Sequence, residues 1–194
     1  MTMSSKHFTI CPRIAPEEET VTIDFIDAAS EQETRRYRWE DQAGKKEVAM
    51  STTSEEIRIG QIAVRFRLEG QESGGSVAVF EFDVPAGARV PAAHSHDAYD
   101  ETIYGLEGVL SWTLEGTKTD VGAGDVLCIR RGVVHRFDND HGVEAKMLAI
   151  VSPGILGPEY FREIAAVIEA STGGPPDPAA IAEVMRRHGL TPAP

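Results

Sequence analysis

Apolar and polar residues alternate through Ile59–Leu68, and short strand-like runs follow it at Ser76–Val84, Val109–Leu114, Lys118–Val121, Asp125–Ile129, Val133–Phe137 and Glu144–Val151. A period of two is that of strands with one wet face. Glycine-bearing breaks separate the runs: Glu69–Gly75, Pro85–Gly87, Glu115–Thr117 and Gly122–Gly124. Short strands with frequent glycine turns predict an all-β fold, a barrel or a sandwich.

The two ends read differently. Before the barrel, Val21–Ile26 alternates and predicts a strand that adds to a sheet edge, this chain's or a partner's. Glu31–Lys46 is charged but carries Tyr37 and Trp39, which suggests a docking surface, on the chain's own barrel or on a second copy. Ala49–Glu56 is rich in Ser and Thr and reads as a loop. After the barrel, Phe161, Ile164, Ala165 and Ile168 fall at helical spacing within Pro158–Ala170. Asp177, Pro178 and Gly189 sit where the cap, first turn and end of a second helix belong, around the apolar stripe Ile181, Val184 and Met185. These helices are expected on the outside of the barrel, with a lid over its mouth as the alternative. The expected division is an N-terminal extension over 1–55, a barrel over 56–152 and a helical tail over 153–194.

Composition narrows the function. The 194 residues are 41% hydrophobic, enough for one domain with a core and extensions. A net charge of −12 disfavours nucleic acid and anionic membranes, which reward basic surfaces. Two cysteines, Cys11 and Cys128, make no disulfide framework. Met1–His7 has no apolar signal core, and no apolar run approaches membrane-spanning length. The expectation is a cytoplasmic protein. There is no Gly-rich phosphate loop, no Gly-x-Ser-x-Gly elbow and no Cys-x-x-Cys, which argues against nucleotide hydrolysis, serine-esterase chemistry and thiol redox.

The candidate chemistry lies between His94 and His135. His94 and His96 alternate along a strand and so reach one point together. Glu101 opens the next strand, and His135 opens a separate run placed to pass the same point from across the barrel. Three imidazoles and a carboxylate suit one divalent transition metal: Fe, Mn, Co, Ni, Cu or Zn. Taken singly these residues would be unremarkable, and His7, His141 and His188 are read as ordinary surface or core histidines. Packing uncoordinated imidazoles with a carboxylate inside a barrel costs several kcal/mol of desolvation, which favours a ligand role for the four together. Strand parity turns Ile103 and Gly105 inward with Glu101, and Phe137 inward with His135; Gly105 would leave room in the pocket. Trp112 and Met147 are further candidate walls, with ordinary core the competing reading.

These residues form two motifs. Gly87-x6-His94-x-His96-x4-Glu101-x6-Gly108 resembles the first cupin motif, and Gly124-x7-Gly132-x2-His135-x3-Asn139 the second. The likeness covers 87–139 directly and about 60–151 with the flanking strands. Gly87 leaves one residue more than usual before the first histidine, and Arg130 stands where a proline is usual, which predicts a looser or differently shaped turn. From His94-x-His96-x4-Glu101-x2-Tyr104-x-Leu106-x-Gly108 and the helical tail, the chain resembles the short single-barrel cupins similar to quercetin dioxygenases. The resemblance implies an antiparallel cupin barrel (a double-stranded β-helix or jelly roll), a metal on His94, His96, Glu101 and His135, a homodimer, and a dioxygenase acting on a small aromatic or enol substrate. In it Glu101 is a ligand that also serves as general base. Non-redox chemistry (isomerase, lyase or decarboxylase) and small-molecule binding without catalysis remain open, because fold does not imply function.

Overall fold

The computed structural model describes the strands Asp24–Ile26, Thr34–Asp41 and Gly44–Ser51, and residues 54–89, 92–171 and 174–193. The chain divides into two compact units, Met1–Thr53 and Ser54–Pro194.

The first unit holds a three-stranded antiparallel sheet of β1 (Asp24–Ile26), β2 (Thr34–Asp41) and β3 (Gly44–Ser51). Only part of the expected Val21–Ile26 strand lies within the described residues. The charged run is a hairpin, with Tyr37 opposite Val48 and Trp39 opposite Lys46. The expected loop over Ala49–Glu56 is shorter than its Ser/Thr content suggested. Ala49–Ser51 continue β3 because β2 offers a ladder to pair with, Arg36 opposite Ala49 and Thr34 opposite Ser51.

The second unit is a two-sheet barrel. Six strands stand in one sheet: β4 (Glu56–Ile59), β5 (Ile62–Leu68), β6 (Ala78–Val84), β8 (Asp100–Glu107), β11 (Val126–Ile129) and β13 (Ala145–Ser152), in the order β11-β8-β13-β6-β5-β4. Five form the other: β7 (His94–His96), β9 (Val109–Leu114), β10 (Thr117–Gly122), β12 (His135–Asp138) and β14 (Leu190–Pro192), in the order β10-β9-β12-β7-β14. Alternation survives folding: β6 buries Ala78, Phe80, Phe82 and Val84, and β13 buries Ala145, Met147, Ala149 and Val151. Fully burying one such side chain contributes about 2 kcal/mol. The run Ile59–Leu68 is two strands rather than one. Gly60, at φ +58°, opens a two-residue hairpin turn that an L side chain would strain.

The tail contains α1 (Pro158–Glu169) and α2 (Pro178–Arg187), each with proline in its first turn. The Asp177 carboxylate caps α2 by accepting from the Ala179 N–H at 2.9 Å. Phe161 and Ile164 of α1 and Ile181, Val184 and Met185 of α2 are buried. Gly189 at φ +74° then turns the chain into β14, which pairs antiparallel with β7: Leu190 opposite His96, Pro192 opposite His94. The sequence reading did not contain this strand. Pro192 looks like a strand breaker, yet an edge strand needs a donor on one side only. No helix among the described residues is long and apolar enough to cross a membrane.

Candidate metal centre

The five-stranded sheet carries all three candidate histidines. β12 lies beside β7, with His135 directly opposite His94. This corrects the expectation that His135 arrives from across the barrel: it is a neighbour on the same sheet, and Glu101, on β8 of the facing sheet, is the residue that crosses the interior. One ligand atom from each histidine lies within 4.8 Å of the other two. The rings crowd to centroid separations of 5.2 Å (His94–His96), 4.6 Å (His94–His135) and 4.6 Å (His96–His135). The Glu101 Oε2 stands 3.6 Å from His135 Nε2 and 3.9 Å from His96 Nε2.

Backbone carbonyls set two of the tautomers. The Ala92 oxygen lies 3.2 Å from His94 Nδ1, and the Val133 oxygen lies 3.0 Å from His135 Nδ1. A proton held on Nδ1 frees Nε2 as a lone-pair donor, the arrangement metal-binding imidazoles use. His96 is steadied otherwise: its ring stacks on Tyr99 at 4.3 Å, and its Nδ1 has no partner among the described residues. Its backbone carbonyl accepts from the Gly132 N–H at 2.9 Å. That glycine lies in the turn where Arg130 replaces the usual proline. The turn closes regardless, by Val133 N–H to Arg130 C=O at 3.1 Å, and Arg131 grips the Asp100 carboxylate with its backbone N–H and its guanidinium. Asn139, the last motif residue, is buried and satisfied, donating to the Val84 and Val143 carbonyls.

Burial pushes the His96 imidazole down to about 4. Burial first, then the neighbouring imidazoles, pushes His94 down to about 3. Both are therefore neutral near pH 7, as ligation requires. Burial raises the Glu101 carboxyl, but the neighbouring His135, His96 and His94 imidazoles outweigh that and hold it below the ordinary carboxylate range. The hydroxyls of Tyr99 and Tyr160 are pushed up by burial and by the charge of Glu101. The donor set fits a divalent transition ion: three imidazole nitrogens, one carboxylate, and a buried setting that rewards neutralising that carboxylate.

A cavity of about 110 Å³ opens onto these groups. Trp112 and Phe137 line it, as parity suggested, along with His94, His96, Glu101 and His135. Ile103 and Met147 are fully buried but are not among its lining residues. They face inward, yet Ile103 sits two residues along the strand from Glu101, about 7 Å away by strand rise. Gly105 does not open the pocket either. A Cβ there would meet the Gly122 carbonyl oxygen at 1.9 Å, so the missing side chain serves backbone packing. The tail, expected on the outside of the barrel with a lid over its mouth as the alternative, also reaches the cavity. Leu156, Tyr160, Phe161, Ile164 and Leu190 all line the cavity, so α1 supplies part of its wall rather than only packing outside. The signal was present: Tyr160 and Ile164 lie four apart, one face of the predicted helix. His141 and His188 stand away from the centre, near Ser111 Oγ (3.2 Å) and Glu163 Oε1 (3.0 Å) respectively. His7 lies outside the described residues.

Residues 80–151 match the cupin domain family. Quercetin 2,3-dioxygenase of Bacillus subtilis (strain 168) is 29% identical over 94 residues, which are 48% of this chain and 27% of that relative's length. Similar solved structures include the following two. A predicted oxalate decarboxylase from Thermotoga maritima has 22% identity over 52% of this chain and 92% of its own, TM-score 0.48. The polyketide cyclase RemF from Streptomyces resistomycificus has 21% identity over 59% and 92%, TM-score 0.46. The family match over residues 80–151 thus falls within the two-sheet barrel and marks that segment as a cupin domain.

Proposed function

We propose that this protein is a metal-dependent cupin enzyme, a dioxygenase acting on a small aromatic or enol substrate. The observation that supports it most is the convergence of three imidazoles and the Glu101 carboxylate at the wall of an apolar cavity. A divalent ion held by His94, His96 and His135 supplies a Lewis-acidic point and, with a redox-active metal, a route for electrons between substrate and dioxygen.

The chain's own residues do the rest. Trp112, Phe137 and the α1 side chains hold the apolar body of the substrate and keep water from the centre. The carbonyls of Ala92 and Val133 fix the imidazole planes. Glu101 Oε2, which lies beside the His96 and His135 rings, takes the proton from the substrate's enolic or phenolic hydroxyl. The test is elemental analysis of the purified protein and of His96→Ala, with oxygen uptake followed on a panel of phenols and enols. Near-stoichiometric metal that is lost in the variant, together with substrate-dependent oxygen uptake, is the expected result. Turnover without oxygen uptake would replace the dioxygenase with non-redox chemistry. A protein that takes up no metal on reconstitution would end the proposal.

A further inference from the structure

The strand that carries His94 and His96 is three residues long, and most of its ladder comes from the tail. β12 meets β7 at one register pair, His135 opposite His94. β14 meets it at three: Leu190 opposite His96, Thr191 opposite Ser95, and Pro192 opposite His94. Backbone bonds extend this ladder past both ends of β7. The Asp97 N–H donates to the Gly189 carbonyl at 2.9 Å, and the Ala193 N–H donates to the Ala93 carbonyl at 2.8 Å. Antiparallel ladders bond at alternate residues. The bonded rungs to the tail are therefore Ala93, Ser95 and Asp97, and the middle one belongs to Thr191.

His94 and His96 fall between those rungs. Their own backbone groups face the opposite edge, where the Gly132 N–H reaches the His96 carbonyl. Each histidine is thus bracketed by two bonded rungs of the tail. Pro192 stands opposite His94, at a rung where its missing N–H costs no bond. Side chains agree with the backbone: Thr191 Oγ1 donates to Asp97 Oδ1 at 2.8 Å, and Leu190 is buried and lines the cavity. Upstream, the tail is tied to α1, whose Glu163 accepts from the Arg187 guanidinium and faces His188 Nε2 at 3.0 Å. Two imidazoles on one short strand inherit any shift of that strand, so what holds the strand sets where they point.

We propose that Gly189–Ala193 is a positioning strap: its backbone, centred on Thr191, holds β7 so that the His94 and His96 imidazoles converge with His135 on one ion. Thr191 acts through Ser95 and Asp97 and is not itself a ligand. This deepens the proposed function and rests on its reading of the three histidines as a metal centre.

Calorimetric titration of Co2+ into metal-stripped protein, with the visible absorption spectrum of the loaded form, tests the strap without turnover. Thr191→Pro removes the central backbone donor. Its Co2+ affinity should fall by about tenfold or more, with a changed spectrum. Thr191→Val keeps the backbone donor and loses only the hydroxyl, so its affinity should stay within about threefold of the parent. Asp177→Ala removes the cap of α2 and lowers the melting temperature without touching the strap; its Co2+ affinity and spectrum should match the parent. If Thr191→Pro gives no cooperative melt, Gly189→Ala carries the same test. Its added Cβ meets nothing within 4 Å, yet a φ of +74° strains it, which displaces the entry to the strap. A folded strap variant with parental affinity and spectrum would overturn the inference. So would an Asp177→Ala loss as large as that of the strap variant, because general loosening would then explain both. A parent protein that binds no Co2+ would overturn the strap and the proposed metal enzyme together. Strap-dependent Co2+ binding by a protein that consumes no oxygen would remove the dioxygenase and leave the strap standing.

Discussion

The two sides of the cavity are built by different means. On the histidine side, the ligand-bearing strands β7 and β12 are bonded to each other, and β7 is flanked on its other side by β14. Imidazole nitrogens rest on backbone carbonyls, and a backbone N–H from the Arg130–Val133 turn grips the His96 carbonyl. On the roof side, α1 contributes Tyr160, Phe161 and Ile164 through side-chain packing and surface ion pairs. Backbone ladders fix positions to fractions of an ångström, which suits ligands that must converge on one ion. Side-chain packing tolerates exchange of volume, which suits a surface that selects among substrates. The same barrel can thus keep its histidines in place while side chains of its roof exchange.

The sharpest way to break this division is at Glu101, on the chemical side. Glu101→Gln keeps the shape and removes the base, so turnover should fall by ~100-fold or more while the histidine metal site still loads. Turnover at the parent rate with normal metal content would remove Glu101 from the proton step. The matching change on the roof is Phe161→Ala. It should cost about 3 to 5 kcal/mol of stability, the usual range for emptying an aromatic site in a core, yet leave metal content unchanged. Metal lost along with the roof would mean that the two walls are coupled and that the comparison fails.

A pH titration of metal-free protein separates the walls in another way. His96 is held down to about 4 and His94 to about 3, while in the unfolded chain both take a proton near 6.5. Between those values the unfolded state binds more protons, so stability rises with pH. The contribution is complete above pH 6.5 and is lost as pH falls toward 4, on the order of 3 kcal/mol for His96 alone. Melting temperatures should drop over that window. The drop should shrink in His96→Ala and persist in Phe161→Ala. A flat profile in metal-free parent protein would show that the imidazoles are hydrated rather than buried.

The histidine side was legible in the sequence and the roof was not, for the same physical reason. His94-x-His96 carries its geometry in its spacing, because strand alternation brings both rings to one face. The pairing of His135 with His94 is a long-range register that no local pattern states, so His135 was expected from across the barrel rather than beside His94. Phe137, which parity turns inward, and the further candidate Trp112 line the cavity. Ile103 faces inward at a different height, and the small size of Gly105 serves contact with Gly122. The α1 stripe announced a buried face without saying what it would bury against. Strand β14 was hidden because three residues ending in proline carry no strand signal until an edge is offered to them.

The smallest expected effect tests the support beneath the chemical side. Arg131 is exposed, and its guanidinium lies 3.1 Å from the Asp100 carboxylate, next to Glu101 in sequence. Its backbone N–H reaches the same carboxylate at 2.9 Å and survives any side-chain change. Exposed ion pairs contribute little, so Arg131→Ala should leave the melting temperature nearly unchanged. Asp100→Ala removes the acceptor of both bonds and frees the turn whose Gly132 N–H holds the His96 carbonyl. It should therefore weaken metal binding more than Arg131→Ala does, by a fewfold rather than by the complete loss expected of His96→Ala. The backbone bond is the part that positions the site. Equal effects from the two variants would assign the support to the ion pair instead, and would remove the backbone turn from the account of how His96 is held.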